Sequence, residues 1–315
     1  MPSSTGTLDD LVARLLTGER PAASDVARLS GLETPDFEAL RGAWLAIAPG
    51  AREDLIARAI ELAEDNVDLD FTRLARIALG DPLPAIRRKA VESFWESRDR
   101  AIARLIVQAL RTDPDESVRA AAATALGPFV LLFELGQFDR EEGEAVVEAL
   151  RDHTGASEVS IDVRARAIES LGPRTVPWVD TLIADAYYDD DPRMRIAALR
   201  AMGGSAQERW LEFLEEQAIS DDAEFRYEAA VAMGAIGSED AVELLAGMLT
   251  DEDTEVVLAA VAALGEIGGE EAAAVLVRFI EQADPALADA AEAALDAARY
   301  LDDADLIRRD AWDVS

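Results

Sequence analysis

Five arginines recur along the chain, with three of the four intervals at 31 or 32 residues, and their side chains could bind anions or carboxylates. They are separated by 32, 45, 31 and 31 residues. The five are Arg87, Arg119, Arg164, Arg195 and Arg226. A row of guanidinium groups can bind an anion, or each can pair with a nearby carboxylate. Because each follows an acidic segment, such as those with Asp113, Asp191 and Asp221, we expect a structural ladder of arginine–aspartate pairs.

Residue types that commonly catalyse reactions or bind metals are scarce. The chain has no cysteine and one histidine, His153, which excludes thiolate zinc sites, cysteine nucleophiles and clusters of histidine ligands. The sequence contains no P-loop, no dinucleotide-binding fingerprint and no serine nucleophile elbow. The acidic run 189–191 lacks the alternating ligands of a calcium loop. We therefore predict no catalytic residue, no metal site and no cofactor.

The arginines belong to a segment that repeats about every 31 residues. Each copy begins at an apolar anchor residue, and the anchors are Ile86, Val118, Val163, Met194, Phe225, Val256 and Leu287. Every copy has alanine at +4 and a large apolar residue at +8. Positions 0, +4 and +8 share one helical face and predict a buried stripe. The arginine stands at +1 and is absent from the last two copies, which have Val257 and Ala288.

Five copies have glycine at +9, where we expect it to end the helix. The five are Gly127, Gly172, Gly203, Gly234 and Gly265. Gly237 and Gly268 follow in two copies and would place the end one turn later. A second amphipathic segment lies between anchors, for example over 209–218 and 240–249. Each period thus predicts two helices joined by acidic turns, with aspartate or threonine as caps and Pro192 in a first turn. No segment shows strand alternation, so we expect an all-α fold.

The Asp-Pro, Val-Arg and Ala-Leu-Gly pattern of these copies resembles HEAT repeats, particularly the short form of phycobilisome-lyase-like proteins. The resemblance covers roughly residues 81–298. It implies a right-handed α-solenoid, a superhelix of antiparallel helix pairs, with the arginine-bearing helices on the concave side. It implies an architecture more than an activity. Two enzyme classes of this type are not supported, since the di-iron hydroxylase needs several histidines and the DNA glycosylases need a basic concave surface.

The segments of the chain differ in regularity. We expect a helical N-terminal cap over 1–31, divergent helical repeats over 32–80, the repeat array over 81–300 and an acidic C-terminal tail over 301–315. The 45-residue interval marks an insertion near 128–157. Its apolar part could protrude to bind a partner, but we expect it to pack on adjacent repeats through Phe133 and Phe138.

The candidate binding surface is the middle of the expected concave face, at positions +2 and +6. It contains Ile196, Arg200, Tyr227, Val231 and Leu258. Tyrosine and arginine among apolar residues are typical of interaction hot spots, although burial between repeats would explain the same composition. We predict a non-enzymatic scaffold or adaptor that binds a protein on this surface. The alternative is a phycobilin lyase-like or chaperone-like handler of a tetrapyrrole protein.

The net charge is −34, from 64 acidic and 30 basic side chains. From Trp210 to Ala297 there are 22 acids and two arginines. This charge argues against nucleic acid and anionic membranes as partners. The charge is consistent with a basic protein partner, and equally with an acidic surface whose only effect is to keep the protein in solution. The N-terminus lacks a signal-peptide pattern, and the longest apolar run, 129–133, is too short to span a membrane. We therefore expect a cytoplasmic protein, and separately we expect a monomer.

Overall fold

A computed structural model describes residues 7–95, 97–155 and 158–312, with side chains described as far as residue 299. Within these ranges all regular structure is helical and no strand occurs, which confirms the predicted all-α fold. The chain divides into two compact units, residues 1–166 and 167–315, and each is described by itself.

In the first unit, short helices precede regular helix pairs. The helices are α1 (Leu8–Leu16), α2 (Ala23–Ala27), α3 (Thr34–Ala43), α4 (Pro49–Asp65), α5 (Thr72–Ala78), α6 (Pro84–Glu92), α7 (Arg100–Thr112), α8 (Glu116–Glu134) and α9 (Arg140–Arg151). The unit boundary falls within α10 (Ile161–Leu171). We call the helices that carry the anchors the second helices. In this unit α6 and α8 pack side by side, while α7 packs on both α8 and α9.

In the second unit, first and second helices alternate. The helices are α11 (Pro177–Tyr187), α12 (Pro192–Gly204), α13 (Leu211–Ala218), α14 (Ala223–Ile236), α15 (Val242–Met248), α16 (Thr254–Ile267), α17 (Gly269–Ile280) and α18 (Pro285–Trp312). The second helices α12, α14, α16 and α18 pack in sequence, and each of them also packs on the first helix that precedes it. This pairing is the helix-pair arrangement of an α-solenoid.

The buried stripe of the second helices is present in every copy. All seven alanines at +4 have no exposed surface, and the large apolar residues at +8 are at most 7% exposed. Methyl side chains at +4 let neighbouring helices approach, while the residue at +8 fills the space between the two layers. The 31-residue period therefore encodes one repeated packing unit, as the sequence predicts.

The acidic turns are built by aspartates at two positions before the anchor. At −3 an aspartate caps the helix, accepting a hydrogen bond at 2.9–3.0 Å from the N–H two residues later. These caps are Asp115, Asp191, Asp222, Asp253 and Asp284. At −5 an aspartate makes the same bond within the turn, at 2.9 Å. The second set is Asp81, Asp113, Asp189 and Asp251.

Gly172 directly follows the last residue of α10, as expected, but the other four glycines at +9 do not end their helices. Gly127, Gly203, Gly234 and Gly265 lie inside their helices rather than at the ends. Where a second glycine follows, that residue ends the helix: the φ of Gly237 is +71° and the φ of Gly268 is +68°. A Cβ atom at Gly234 would lie 2.8 Å from the Cα of Ala263 on the next second helix. Close helix approach, not helix termination, requires glycine there.

The expected insertion begins inside a helix. α8 continues through Pro128 to Glu134, so it is longer than the second helices that carry the next four anchors. The Phe129 ring is fully buried and lies edge-on to Phe138, with centroids 5.3 Å apart. The Phe133 ring lies directly against Gly143 of α9. α8 is also long and apolar enough to cross a membrane by length and composition, but it packs on α6, α7 and α9.

The two ends of the chain are helical where they are described. Residues 7–31 contain α1 and α2, with Thr7 forming a capping box with Asp10. Residues 301–312 of the expected acidic tail continue the backbone of α18. Residues 1–6 and 313–315 lie outside the described residues.

Candidate functional site

Two of the five repeated arginines form bidentate ion pairs with the next repeat. Arg87 donates from Nε and Nη2 to Asp113, both at 2.8 Å. Arg226 donates to Asp251 in the same way, at 2.7 and 2.8 Å. In both, Nη1 also donates at 2.8 Å to the main-chain carbonyl six residues earlier. With all three of these groups engaged, neither side chain is available to bind an anion.

The other three arginines have different partners. Arg119 donates to the carbonyl of Asp113 at 2.7 Å, and Arg164 donates to the carbonyl of Thr154 at 3.2 Å. The guanidinium of Arg195 lies 4.7 Å from the centre of the Phe225 ring. In that repeat, serine rather than aspartate precedes the next anchor by five residues. Arg195 lacks this acceptor and stacks on the anchor ring of Phe225 instead.

A further pair of the same kind lies earlier in the chain, where sequence analysis missed it. Arg52 of α4 donates to Asp81 at 2.6 Å, and Trp44 Nε1 donates to the same carboxylate oxygen at 2.7 Å. Both ion-pair side chains are at most 4% exposed. The position of Asp81 in the sequence could have indicated this pair. Asp81 stands five residues before the anchor Ile86, just as Asp113 and Asp251 stand five residues before their anchors. The lack of alanine at the corresponding +4 position, Leu55, hid it.

These ion pairs shift the pKa of the aspartates. Hydrogen bonds from Arg226 lower the pKa of Asp251, and the N–H of Asp253 lowers it further against the opposing effect of burial. At Asp113 burial is the largest single influence and would raise the pKa, but Arg87 and the N–H of Asp115 together lower it. Both carboxyls are therefore held in the charged form that the arginines require.

Two residues of the expected binding stripe are not available as predicted. Ile196 is only 7% exposed, and its helix α12 packs on α11 and α14. Arg200 donates from Nε to Glu228 at 3.0 Å and lies 3.7 Å from Glu169. This pairing raises the pKa of Arg200. Ile196 is thus part of the core, and Arg200 is a charge-paired side chain rather than a free hot spot.

The remaining stripe residues are accessible. Tyr227 is 38% exposed and Val231 is 40% exposed, and Leu258 is half-buried. Tyr227 and Val231 are four residues apart on α14 and so share a face. Among the five stripe residues only Ile196 is buried, and the binding role of the stripe stays a prediction.

A larger groove lies in the first unit. It encloses about 940 Å³ over α6, α8 and the start of α10. Its lining includes Arg88, Glu92, Trp95, Ala120, Thr124 and Arg166. Trp95 is 51% exposed, and Arg88 lies 3.5 Å from Glu92 in an ion pair. Trp95 stands at +9, where five copies have glycine. This departure from glycine is the feature of the sequence that could have indicated the groove.

Three of the acidic turns have a third acid at −4 that the fold does not use. Asp190, Asp221 and Glu252 stand at −4, between the two structural positions, and all three are exposed. None of them forms a hydrogen bond or ion pair within the described residues. Among those residues, no group of three His, Asp or Glu side chains could hold a metal ion.

The fold matches known helical-repeat structures. The complex of CpcE and CpcF of phycocyanin lyase from Nostoc has 19% identity, a TM-score of 0.56, and coverage of 92% of this chain and 98% of that one. Human deoxyhypusine hydroxylase in complex with glycerol has 20% identity, a TM-score of 0.36 and coverage of 93% and 96%. The second likeness is too distant to carry an argument, and the first concerns the fold alone. No curated protein matches the sequence.

The family comparison covers most of the chain. The model that describes HEAT repeats matches residues 71–172, 147–234 and 211–296. These overlapping matches begin with α5 and reach into α18, and so include all the copies of the 31-residue segment. The chain belongs to the HEAT-repeat family.

Proposed function

We propose that this chain is a non-enzymatic interaction scaffold that binds a protein partner on the exposed face of its second helices. The observation that carries this proposal is the 940 Å³ groove with its half-exposed Trp95. Trp95 lies in the turn that follows α6, and a large aromatic side chain that is open to solvent is typical of interaction hot spots. The bidentate pairs and buried alanines make the surface preformed, so little order is lost on binding.

The state and location of the molecule belong to the same proposal. A net charge of −34 makes copies of the chain repel one another, which supports a monomer. The cytoplasmic location is an expectation from the sequence alone.

Affinity capture with matched variants tests the scaffold function. Trp95→Ala removes the groove anchor, while Leu135→Ala removes a similarly exposed side chain (58% exposed) that does not line the groove. We expect the wild-type chain and Leu135→Ala to retain the same protein from a lysate of the source cells, and Trp95→Ala to lose it. Circular dichroism would verify that each variant keeps its helicity. Equal retention by both variants would move the binding site elsewhere.

A lyase-like handler of a tetrapyrrole protein is the second candidate, favoured by the likeness to the CpcE–CpcF complex. Incubation with a bilin and a bilin-binding apoprotein separates the two functions. The scaffold proposal predicts that the visible absorption of the bilin stays unchanged. A new absorption band that depends on this chain would support the lyase-like function instead.

A further inference from the structure

Three consecutive second helices of the second unit each present one exposed line of side chains. On α14, α16 and α18 this line comprises positions −1, +2, +6 and +10, a spacing that follows one face of a helix. The lines are Glu224, Tyr227, Val231 and Ala235 on α14; Glu255, Leu258, Ala262 and Glu266 on α16; and Ala286, Asp289, Ala293 and Ala297 on α18. We call this surface the three-helix face.

The centre of the three-helix face is apolar. Tyr227 and Val231 are exposed there, and Leu258 is half-buried. Between α16 and α18 the face forms a groove of about 560 Å³. Leu258, Ala262, Ala293 and Ala297 line this groove, with Glu266 beside them. Apolar groups that remain exposed in a chain this acidic form a patch that a second apolar surface can cover.

Carboxylates border the apolar centre on two sides. Glu224 and Glu255 stand at −1, and Glu266 stands at +10. These three carboxylates form no ion pair within the described residues. Arg200 of α12 and Arg226 of α14 are occupied, because Arg200 binds Glu228 and Arg226 binds Asp251. The face therefore offers uncompensated negative charge on both edges of an apolar band.

We propose that the three-helix face binds an amphipathic helix of a protein partner, with lysine or arginine along both edges of its apolar stripe. This inference rests on the proposed scaffold function and names the chemistry of a partner. The two acidic edges are eleven residues apart along the helices, roughly 16 Å at 1.5 Å per residue. A helix about 10–12 Å wide fits between them. Three helices spaced about 8–10 Å apart give it a path of about four turns.

The charge pattern selects this occupant over others. A second copy of the chain would bring its own acidic edges against these carboxylates, and an anionic membrane or nucleic acid would be repelled by them. A basic helix places its apolar stripe on Tyr227, Val231 and Leu258, and its cations reach Glu255 and Glu266. The apolar contact and the ion pairs therefore form in one and the same orientation of the bound helix.

Binding of synthetic peptides to the full chain tests the proposal by fluorescence anisotropy. The probe is an 18-residue leucine–lysine peptide whose leucines follow the i, i+3, i+4, i+7 pattern. One control has the same composition in scrambled order, and a second has glutamate in place of lysine. We expect the patterned lysine peptide to bind at least ten-fold more tightly than either control. Equal binding of the scrambled peptide would show simple charge attraction and would overturn the proposal.

Two matched pairs of variants locate the site. Val231→Glu adds a charge to the three-helix face, and Val277→Glu adds the same charge on α17, where valine is equally exposed (41% against 40%). We expect Val231→Glu to weaken peptide binding at least ten-fold and Val277→Glu to leave it unchanged. Glu255→Gln with Glu266→Gln should weaken binding and reduce its salt dependence. Glu270→Gln with Glu271→Gln, on α17, changes the net charge equally and should do neither.

The outcomes separate this inference from the groove in the first unit. Trp95→Ala should bind the peptide normally, so loss of lysate capture together with intact peptide binding would leave the inference standing. Normal binding by Val231→Glu would overturn it. Light scattering provides a further check, because a dimer that Val231→Glu converts to monomer would show that a second copy covers the face and would also overturn it.

Discussion

At the scale of single residues, Arg226 and Arg195 occupy the same column of the repeat but are held by different contacts. Arg226 finds Asp251 five residues before the next anchor and binds it through two hydrogen bonds. Arg195 finds Ser220 at the same position and stacks on Phe225 instead. Arginines of the same column are therefore held by two different kinds of contact, an ion pair at Arg226 and a contact with an aromatic ring at Arg195.

Removing these two arginines should have unequal effects on stability. Arg226→Ala leaves Asp251 as an almost buried, unpaired charge, and we expect the free energy of unfolding to fall by about 3 kcal/mol. Arg195→Ala loses mainly a contact with an aromatic ring, for which we expect about 1 kcal/mol. Urea unfolding followed by circular dichroism measures both. Equal losses would mean that the bidentate pair adds nothing.

Acid should weaken the same pair. Because the folded pKa of Asp251 is depressed, its contribution is fully present above the unfolded pKa of about 3.9 and is lost as the pH falls through the folded pKa. We expect Asp251→Asn to be less stable than wild type at pH 7 and to lose less stability between pH 5 and pH 2.5. Urea unfolding across this range provides the comparison. If the free energy of unfolding fell with pH by the same amount in both proteins, Asp251 would not be the source of the predicted loss of stability.

At the scale of helices, the second helices of the second unit touch through glycine and alanine. Gly172, Gly203, Gly234 and Gly265 at +9 each lie against an alanine at +7 of the following copy. Sequence periodicity revealed the glycine column but not its partner, because the two positions lie in different copies and neither marks the other. A helix-ending role was the natural expectation. Gly172, which directly follows α10, and the later Gly237 and Gly268 stand at helix ends, whereas the other four +9 glycines lie inside their helices.

Two glycine-to-alanine substitutions should have opposite effects. At Gly234 a Cβ atom would lie 2.8 Å from the Cα of Ala263, so we expect a loss of roughly 1–3 kcal/mol from overpacking. At Gly247, inside α15, no atom lies within 4 Å of the added Cβ, so we expect a gain of about 0.5–1 kcal/mol from helix propensity. Thermal unfolding of both variants measures the signs. A neutral Gly234→Ala would show that the helices can separate freely.

At the scale of the molecule, the fold could be predicted in more detail than the site. Seven alanines at one column fix the helix pairs, since a buried face repeated every 31 residues has few other solutions. The site was harder because exposure at +2 and +6 depends on neighbouring copies. Ile196 is buried while Tyr227 at the same column is exposed, and one column of letters does not distinguish them. Trp95 was recognised only as an irregular end.

The excess of acid should make stability depend on salt. Asp190, Asp221 and Glu252 form no hydrogen bond or ion pair within the described residues. Although Glu252 is attracted to Arg226, the net charge of −34 repels all three, and this repulsion opposes folding and is screened by ions. We expect the melting temperature to rise between 20 mM and 500 mM NaCl. Replacing these three by asparagine, asparagine and glutamine should raise it at low salt and reduce its dependence on salt. An unchanged salt dependence would place the repulsion elsewhere.

The glycine–alanine contacts also separate the framework from its surface. Positions +4, +7, +8 and +9 set the distance between second helices, whereas −1, +2, +6 and +10 face solvent on the three-helix face. The two sets of positions do not overlap, so side chains of the second set can be exchanged while the glycine–alanine contacts stay in place; Glu266, whose carboxylate lies against Gly234, is the exception. The second unit is therefore a suitable starting point for engineering: a library randomised at these outward positions would alter ligand specificity while the backbone keeps its geometry.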